Sequence, residues 1–146
     1  LFAAIRLSRL AWPGMKERKW GRIINVLNTG AKAPRANGAP TAVSRAAGMA
    51  LMKVLAGEGA AYNVLVNALM TGLIVSDQWA RRHRAEAPQR SFDEFLAPRA
   101  KNLGLPMGRF GTAEEFANMA CFLVSDAASY ISGAAINVDG AKSPAV

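Results

Sequence analysis

Short continuous runs of hydrophobic residues alternate with longer stretches in which hydrophobic and polar positions follow a helical period. The continuous runs, found within GRIINVLN, NVLVNALM and ISGAAINVDG, lie at about 21–27, 63–70 and 134–138. A short and almost wholly apolar run is typical of a strand that is covered on both faces. We therefore predict three β-strands at these positions.

Helical spacing follows at about 1–18 and 40–57, and again from Thr112 onwards. Pro13 lies inside the first segment and predicts a kink or a restart, because proline removes a helix hydrogen bond. Thr112 followed three residues later by Glu115 is a capping box, which predicts the start of the last helix. Strands that alternate with such helices predict an α/β protein with a parallel sheet and helices on both faces.

Residues 76–99 carry most of the polar and charged residues, and Pro88 and Pro98 limit the helices there to short ones. We predict one domain spanning residues 1–146. The chain opens inside a helical pattern, and three strands make a small sheet. Both features favour the carboxyl-terminal part of a larger, Rossmann-like doubly wound fold.

The net charge of +8 raises the question of nucleic-acid binding. The basic residues are scattered over several segments among acidic ones, and no helix-turn-helix, zinc or RNA-binding motif accompanies them. We expect solvated basic faces and no nucleic-acid partner. No apolar run approaches the roughly 20 residues that cross a bilayer, so we expect no membrane partner either.

Cys121 is the only cysteine, which excludes an internal disulfide and favours a reducing, cytoplasmic location. It falls in the apolar stretch FANMACFLV, where a free cysteine is expected to be a small buried hydrophobe. One cysteine and one histidine, far apart in the sequence, form no metal-ligand motif, and we predict no metal site.

Three blocks resemble the short-chain dehydrogenase/reductase superfamily, in order along nearly the whole chain. MKERKWGRIINV is similar to that family's helix leading into its fifth strand, and VNALMTGLIVS to its sixth strand and the following turn. GRFGTAEEFANMACFLVSDAASYISGAAINVDG resembles its last helix and seventh strand. The resemblance implies a divergent NAD- or NADP-dependent oxidoreductase acting on a carbonyl or hydroxyl group. It also implies that residues 73–108 form a substrate lobe inserted into the domain.

In this family a glycine-rich turn after the first strand binds the dinucleotide, and the resemblance implies that this turn lies upstream of the present residues. We therefore expect the 146 residues alone to be inactive or strongly impaired as a dehydrogenase. Whether this chain binds any cofactor is left open at this point.

The family's reaction centre consists of an Asn, a Ser and a Tyr-x-x-x-Lys pair. By resemblance, Asn28 stands at the Ser position, Thr41 at the Tyr position and Arg45 at the Lys position, and the family's Asn would precede Leu1. In these roles Asn28 orients the substrate, Thr41 donates a weak hydrogen bond and Arg45 holds the cofactor ribose. Each also has a structural interpretation, as a turn former, a helix-start residue and a solvated cation.

The resemblance assigns the cofactor side of the site to Arg45, Thr71, Gly72 and Ser76. Thr71 replaces the family's usual Pro, and Gly72 matches its Gly. Ser76 replaces the Thr that helps to grip the carboxamide of the nicotinamide. Ser76 equally fits the start of a helix at DQW.

Reduction of a carbonyl by hydride transfer needs an acid for the developing alkoxide, and the donor works best with a pKa near ambient pH. A phenol with a pKa near 10 can be tuned downward by a nearby cation. The alkyl hydroxyl of Thr41 is a far weaker acid, although it can donate a hydrogen bond. Arg45 keeps the positive charge but cannot relay a proton. Tyr62 precedes the second strand and should lie at the opposite end from the cleft, since ligands bind at the carboxyl ends of parallel strands.

Two alternatives from other classes remain open. One is a non-catalytic binding or scaffold protein that keeps the fold for oligomerisation. For the enzyme as well as the scaffold, we expect a dimer or tetramer formed through helices 1–18 and 40–57, the pair that the resemblance assigns to subunit contacts. The other is a hydrolase that uses Ser44 or His83 in the cleft inherited from a dehydrogenase ancestor, although no G-x-S-x-G elbow is present. His83 lies in a charged stretch and is expected to be solvated. The substrate is not identified by the sequence.

Overall fold

The computed structural model describes residues 1–146 and contains the predicted alternation of helices and strands. Five α-helices, three strands and three short 3-10 helices follow one another along the chain. In order they are α1 Phe2–Glu17, β1 Gly21–Asn28, a 3-10 helix at Thr29–Ala31, α2 Ala39–Gly59, a 3-10 helix at Ala60–Tyr62, β2 Val64–Thr71, α3 Asp77–Glu86, α4 Phe92–Asn102, α5 Ala113–Val124, a 3-10 helix at Asp126–Ala128, and β3 Ala135–Val138.

The three strands form one parallel sheet in the order β1-β2-β3. Seven of the eight residues of β2 are buried, as a central strand covered on both faces requires. Burying a valine, leucine or methionine side chain, as in this strand, stabilises the fold by about 1.5–3 kcal/mol. The continuous apolar run in the sequence therefore reflects the central position of β2 in the sheet.

Helices cover both faces of the sheet. On one face, Met52 and Ala56 of α2 pack with Val66 and Ala68 of β2, and α1 adds Trp12 to the same cluster. On the other face, α5 packs on the sheet through Phe116, Met119, Ala120 and Leu123. The α/β prediction with helices on both sides of three parallel strands is confirmed.

One polar side chain lies inside the central strand. Asn67 is 2% exposed, and its amide group donates to the carbonyl of Ile131 at 2.8 Å. Its side-chain oxygen accepts the N–H of Ala134 at 3.0 Å. Both halves of the carboxamide are therefore paired, and they fix the loop that leads into β3.

The element boundaries differ from the predicted ones where local backbone geometry decides them. Asn63 lies in the left-handed region, with φ +55° and ψ +32°, so β2 begins at Val64 rather than at 63. Pro13 causes no restart, since α1 runs as one helix from Phe2 to Glu17 and loses only one backbone donor there. Thr112 and Glu115 form the predicted capping box, with the Thr112 hydroxyl accepting the Glu115 N–H at 3.2 Å.

Two side chains have surroundings that the sequence did not predict. Cys121 is exposed, so the expectation of a buried thiol is wrong. It lies off the α5 stripe formed by Phe116, Met119, Ala120 and Leu123, which faces the sheet. His83 is half-buried rather than solvated, because α3 packs against α4 and places the imidazole 5.2 Å from the Phe95 ring centroid.

Residues 73–108, the predicted lobe, contain α3 and α4. Phe95, Leu96 and Ala100 are buried there in a separate hydrophobic cluster. The base of the segment is closed by two backbone bonds, from Val75 N–H to the Gly111 carbonyl and from Gly111 N–H to the Leu73 carbonyl. None of the helices combines the length and hydrophobicity needed to cross a membrane.

Candidate active site

The carboxyl ends of the strands open into a cleft of about 380 Å³. Asn28 and Thr71 are the last residues of β1 and β2 and pair with each other in the sheet register. Thr41, from the first turn of α2, and Gly72 complete the same lining. Four of the six candidate residues are thus brought together, and Arg45 and Ser76 do not line this cleft.

The two polar groups of the Asn28 side chain have different surroundings. The side-chain oxygen accepts the N–H of Gly30 at 3.1 Å and caps the 3-10 helix that follows β1. The side-chain NH₂ group makes no hydrogen bond within the chain and remains a donor at the cleft. The turn-forming role is therefore present, and it leaves the amide donor free to orient a carbonyl oxygen.

Thr41 presents an unbonded hydroxyl. It is exposed in the first turn of α2, whose N-cap, Gly38, supplies no side-chain cap. The hydroxyl of Ser44 donates to the backbone carbonyl of Thr41 at 3.0 Å and does not contact the Thr41 hydroxyl, which has no hydrogen-bond partner within the chain. Its hydroxyl can donate a hydrogen bond to an oxygen in the cleft.

The chain contains two tyrosines, and neither lines the cleft. Tyr62 lies before β2, at the amino end of that strand, where Lys16 sits 4.1 Å from the ring centroid. Tyr130 precedes β3 and is fully exposed. No phenol of this chain therefore lies in the cleft.

Arg45 follows Thr41 by one turn of α2 and is half-buried. Its Nε atom is inaccessible to solvent and has no hydrogen-bond partner. An unpartnered buried donor is costly for a folded protein, and a bound group that accepts from it removes that cost.

Gly72 is required by close packing. A Cβ atom at this position would lie 2.5 Å from both the Cα and the Cβ of Asp139. The Gly72 N–H also donates to the Val138 carbonyl at 3.0 Å, which holds the turn after β2 against the end of β3. Ser76 is exposed at the N-cap of α3, and its side chain makes no capping bond.

Two basic residues that the sequence did not predict, Arg35 and Lys142, also line the cleft. Arg35 lies in the loop before α2, and Lys142 in the turn after β3. The ammonium of Lys142 donates to the carbonyls of Leu103 and, at 3.2 Å, of Gly104. Only the folded loops bring these residues to the strand ends, so no local sequence signal could have marked them.

The residues of the hydrolase alternative lie elsewhere. The Ser44 hydroxyl is bonded to a backbone carbonyl, and His83 Nε2 lies 2.7 Å from the Arg90 carbonyl. Neither lines the cleft. No group of three or more His, Cys, Asp or Glu residues is placed to hold a metal ion.

The strongest titration effects lie outside the cleft. Arg109 forms a two-bond ion pair with Glu115, at 2.9 and 2.6 Å, and with the N–H of Thr112 it lowers the pKa of that carboxyl to about 2. The same pair raises the pKa of Arg109. Hydrogen bonds from the N-cap Ser91 lower the pKa of Glu94. These carboxylates stabilise helix starts and mark no reaction centre.

The fold and cleft define a class of α/β proteins that bind ligands at the carboxyl ends of parallel strands. The family model described as Enoyl-(Acyl carrier protein) reductase matches residues 1–141. The chain belongs to the short-chain dehydrogenase/reductase superfamily, with a Rossmann-like fold.

Two curated relatives illustrate the similarity. The acetoacetyl-CoA reductase of Shinella zoogloeoides is 30% identical over 142 residues, covering 97% of this chain and 55% of the relative. The NADPH-dependent reductase BacG of Bacillus subtilis (strain 168) is 36% identical over 126 residues, covering 86% of this chain and 49% of the relative. The chain thus spans about half the length of the curated relatives it matches.

Among solved structures, a short chain oxidoreductase of Pseudomonas aeruginosa PAO1, described as containing an atypical catalytic center, superimposes with a TM-score of 0.92. It is 31% identical, and the match covers 100% of this chain and 56% of that one. The NADPH-bound structure of the same oxidoreductase gives a TM-score of 0.89. These relatives are oxidoreductases, and at least two of them use or bind NADPH.

Proposed function

We propose that these 146 residues form the substrate and nicotinamide side of an NAD(P)-dependent oxidoreductase that acts on a carbonyl or hydroxyl group. The observation that carries the proposal is the joint placement of Asn28, Thr41, Thr71 and Gly72 in one cleft at the strand ends. The NADPH-bound Pseudomonas structure and the NADPH-dependent Bacillus reductase support the choice of cofactor.

The residues present fit the nicotinamide end of such a cofactor. Thr71 and Gly72 line the cleft at the end of β2, and Ser76 lies four residues further on, at the start of α3. Arg45 does not line the cleft, and its assignment to the ribose rests on the family resemblance and on the positive charge that its guanidinium keeps. When bound, the cofactor supplies the hydride.

The proton step is the weak part of this centre. The free amide of Asn28 holds the substrate oxygen in position, and the Thr41 hydroxyl donates a hydrogen bond to it. A positioned acid contributes about 10²–10⁴-fold to such a step, and a threonine hydroxyl supplies little of it. We therefore propose a strongly impaired turnover for this chain. The Pseudomonas relative, with its atypical catalytic center and bound NADPH, is a precedent for an altered centre.

The pyrophosphate end of a dinucleotide has no counterpart here, since the 146 residues contain no glycine-rich turn of the dinucleotide-binding pattern after a strand. Binding should therefore depend on the nicotinamide half of the cofactor. We expect reduced nicotinamide mononucleotide and NADPH to bind with dissociation constants within about tenfold of each other.

Fluorescence titration of both nucleotides into the purified chain tests this proposal. Arg45→Ala should weaken both by about tenfold through loss of a charged hydrogen-bond donor. Lys53→Ala, on the same helix, is the matched control. Saturable binding of neither nucleotide would overturn the proposed function. Robust NADPH oxidation by the wild-type chain, abolished by Arg45→Ala, would overturn the proposed impairment.

A second candidate, an oligomeric scaffold, is favoured by the exposed apolar surface of α1. Phe2, Leu7 and Leu10 are 71%, 66% and 80% exposed. A groove of about 240 Å³ between α1 and α2 is lined by Trp12 and Leu51, among others. We propose that segments 1–18 and 40–57 join two or four copies of the chain.

Sedimentation analysis tests the oligomer. Leu10→Glu should shift the protein to monomers, because a charge cannot be buried unpaired in an apolar contact. Tyr130→Glu, at a fully exposed position outside these helices, is the control. A wild-type monomer at all concentrations would exclude the scaffold. The proposed cytoplasmic location is tested separately by cell fractionation.

A further inference from the structure

The cleft at the strand ends is lined by two cationic side chains and no acidic one. Arg35 and Lys142 belong to loops that are distant in sequence, so their meeting is a property of the fold. Cations that line a cleft attract anions more strongly than the same charges on a flat surface. The positive charge of this cleft therefore favours an anionic ligand.

Arg35 has nothing within the chain to neutralise it. Its side chain is exposed and makes no ion pair or side-chain hydrogen bond. Its backbone is fixed, since the Arg35 carbonyl accepts the Gly38 N–H at 3.1 Å and Asn37 adopts φ +64°. A guanidinium on an ordered turn can grip a carboxylate or phosphate with two parallel hydrogen bonds.

Lys142 is held in place from both sides. Its ammonium reaches the carbonyls of Leu103 and Gly104 at the end of the lobe, which leaves one of its three N–H donors free. The turn that carries it is braced by Asp139, whose carboxylate accepts the N–H of Ala141 at 3.1 Å and of Ser143 at 2.8 Å. Asp139 forms no ion pair with Lys142 and does not line this cleft.

The start of α2 adds to the same positive field. Gly38 provides no side-chain acceptor for the first N–H groups of this 21-residue helix, and Gly38 and Thr41 both line the cleft. The amino end of a helix carries partial positive charge from its unpaired N–H groups. Two full charges and this partial charge thus face one cleft of about 380 Å³.

We propose that the carbonyl substrate of this cleft is a small compound with an anionic group, a carboxylate or a phosphate ester, bound by Arg35 and Lys142. This inference rests on the proposed function for the identity of the reacting carbonyl group. Arg35 and Lys142 determine specificity, and Asn28 and Thr41 hold the carbonyl oxygen. A neutral ketone leaves both cations unpaired and binds more weakly.

Three carbonyl probes test the charge requirement directly: acetoacetate, its neutral methyl ester, and dihydroxyacetone phosphate. Ligand-observed NMR titration of the purified chain measures each dissociation constant without any need for turnover. At least one anion should bind about tenfold or more tightly than the ester, as expected for a charged hydrogen-bonded pair. The stronger of the two anions identifies the source as carboxylate or phosphate. Equal affinity for all three probes would overturn the inference.

Arg35→Gln should remove most of the preference for the anion while leaving the affinity for the ester unchanged. Arg35 is exposed and partnerless, so this variant is expected to fold. Arg90→Gln, which removes an exposed arginine outside the cleft, is the matched control. Lys142→Arg keeps the positive charge, and Lys142→Gln removes it. If only Lys142→Gln loses the preference for the anion over the ester, the preference depends on the charge of Lys142. An anion preference that survives Arg35→Gln and Lys142→Gln would contradict the assignment.

The outcomes separate this inference from the proposed function. If the chain binds the nucleotides but binds acetoacetate and its methyl ester equally well, the anion site is wrong and the oxidoreductase proposal stands. A cation-dependent anion preference without nucleotide binding would keep the site and remove the oxidoreductase proposal.

Discussion

Asn28 and Thr71 are register partners at the last residues of two neighbouring parallel strands, β1 and β2. This pairing sets the floor of the cleft, because it fixes the turn into α2 and the turn into the lobe at the same edge of the sheet. Thr41 and Gly72, each from one of these turns, then line the same space. The proposed oxidoreductase function depends on this relationship.

Gly72→Ala should destabilise the protein by about 1–3 kcal/mol, the usual cost of overpacking. The added Cβ would lie 2.5 Å from the Cα of Asp139, so the turn after β2 or the end of β3 has to move. The free energy of unfolding in urea measures the change. Gly57→Ala is the control, since no atom lies within 4 Å of its added Cβ, and alanine favours the helix. Equal stability of the two variants would contradict the packing account.

Asn67→Ala should cost about 2 kcal/mol or more, because it leaves the Ala134 N–H and the Ile131 carbonyl without their side-chain partners in a buried region. The urea midpoint of unfolding measures the loss. Asn102→Ala, at an exposed position at the end of α4, should change it little. A matching small effect at both positions would show that the carboxamide of Asn67 does not secure the loop.

The ion pair of Glu115 should make stability depend on pH in acid. Its carboxyl has a pKa lowered from an ordinary 4.5 to about 2, chiefly by the hydrogen bond from Arg109. A lowered acid pKa stabilises the folded state above the unfolded pKa, and this contribution is lost as the pH falls through the folded one. The stability difference between wild type and Glu115→Gln should therefore be constant above about pH 5 and shrink between 4.5 and 2.

Urea unfolding at several pH values checks this dependence. Glu114→Gln is the control, since Glu114 is an exposed neighbour that forms no ion pair. A pH-independent difference between wild type and Glu115→Gln would show that the ion pair does not contribute in solution.

The three strands, the main helices and the Thr112 cap could be predicted because each depends on neighbouring residues: an apolar run, a helical period, or a spacing of three. The candidate site residues at the strand ends could be predicted from the sequence for the same reason. Asn28 and Thr71 directly follow predicted strands, and Thr41 lies at the start of a predicted helix. Parallel strands bring such positions to one edge without further information.

Other features depend on contacts that the sequence does not display. Arg35 and Lys142 reach the cleft only because two loops fold back over the strand ends. His83 is covered by Phe92 and Phe95 of the next helix, a consequence of the packing of α3 on α4. The helical period of α5 places Cys121 outside the stripe that faces the sheet, and this position decides its exposure, whereas its residue type alone suggests burial.

The most direct test of the nicotinamide site is a map of backbone amide NMR shifts while reduced nicotinamide mononucleotide is titrated into the chain. The saturable shifts should concentrate at Asn28, Thr41, Thr71 and Gly72, and the amides of the groove between α1 and α2 should be unaffected. Saturable shifts confined to that groove, or none at the strand ends, would contradict the proposed nicotinamide site.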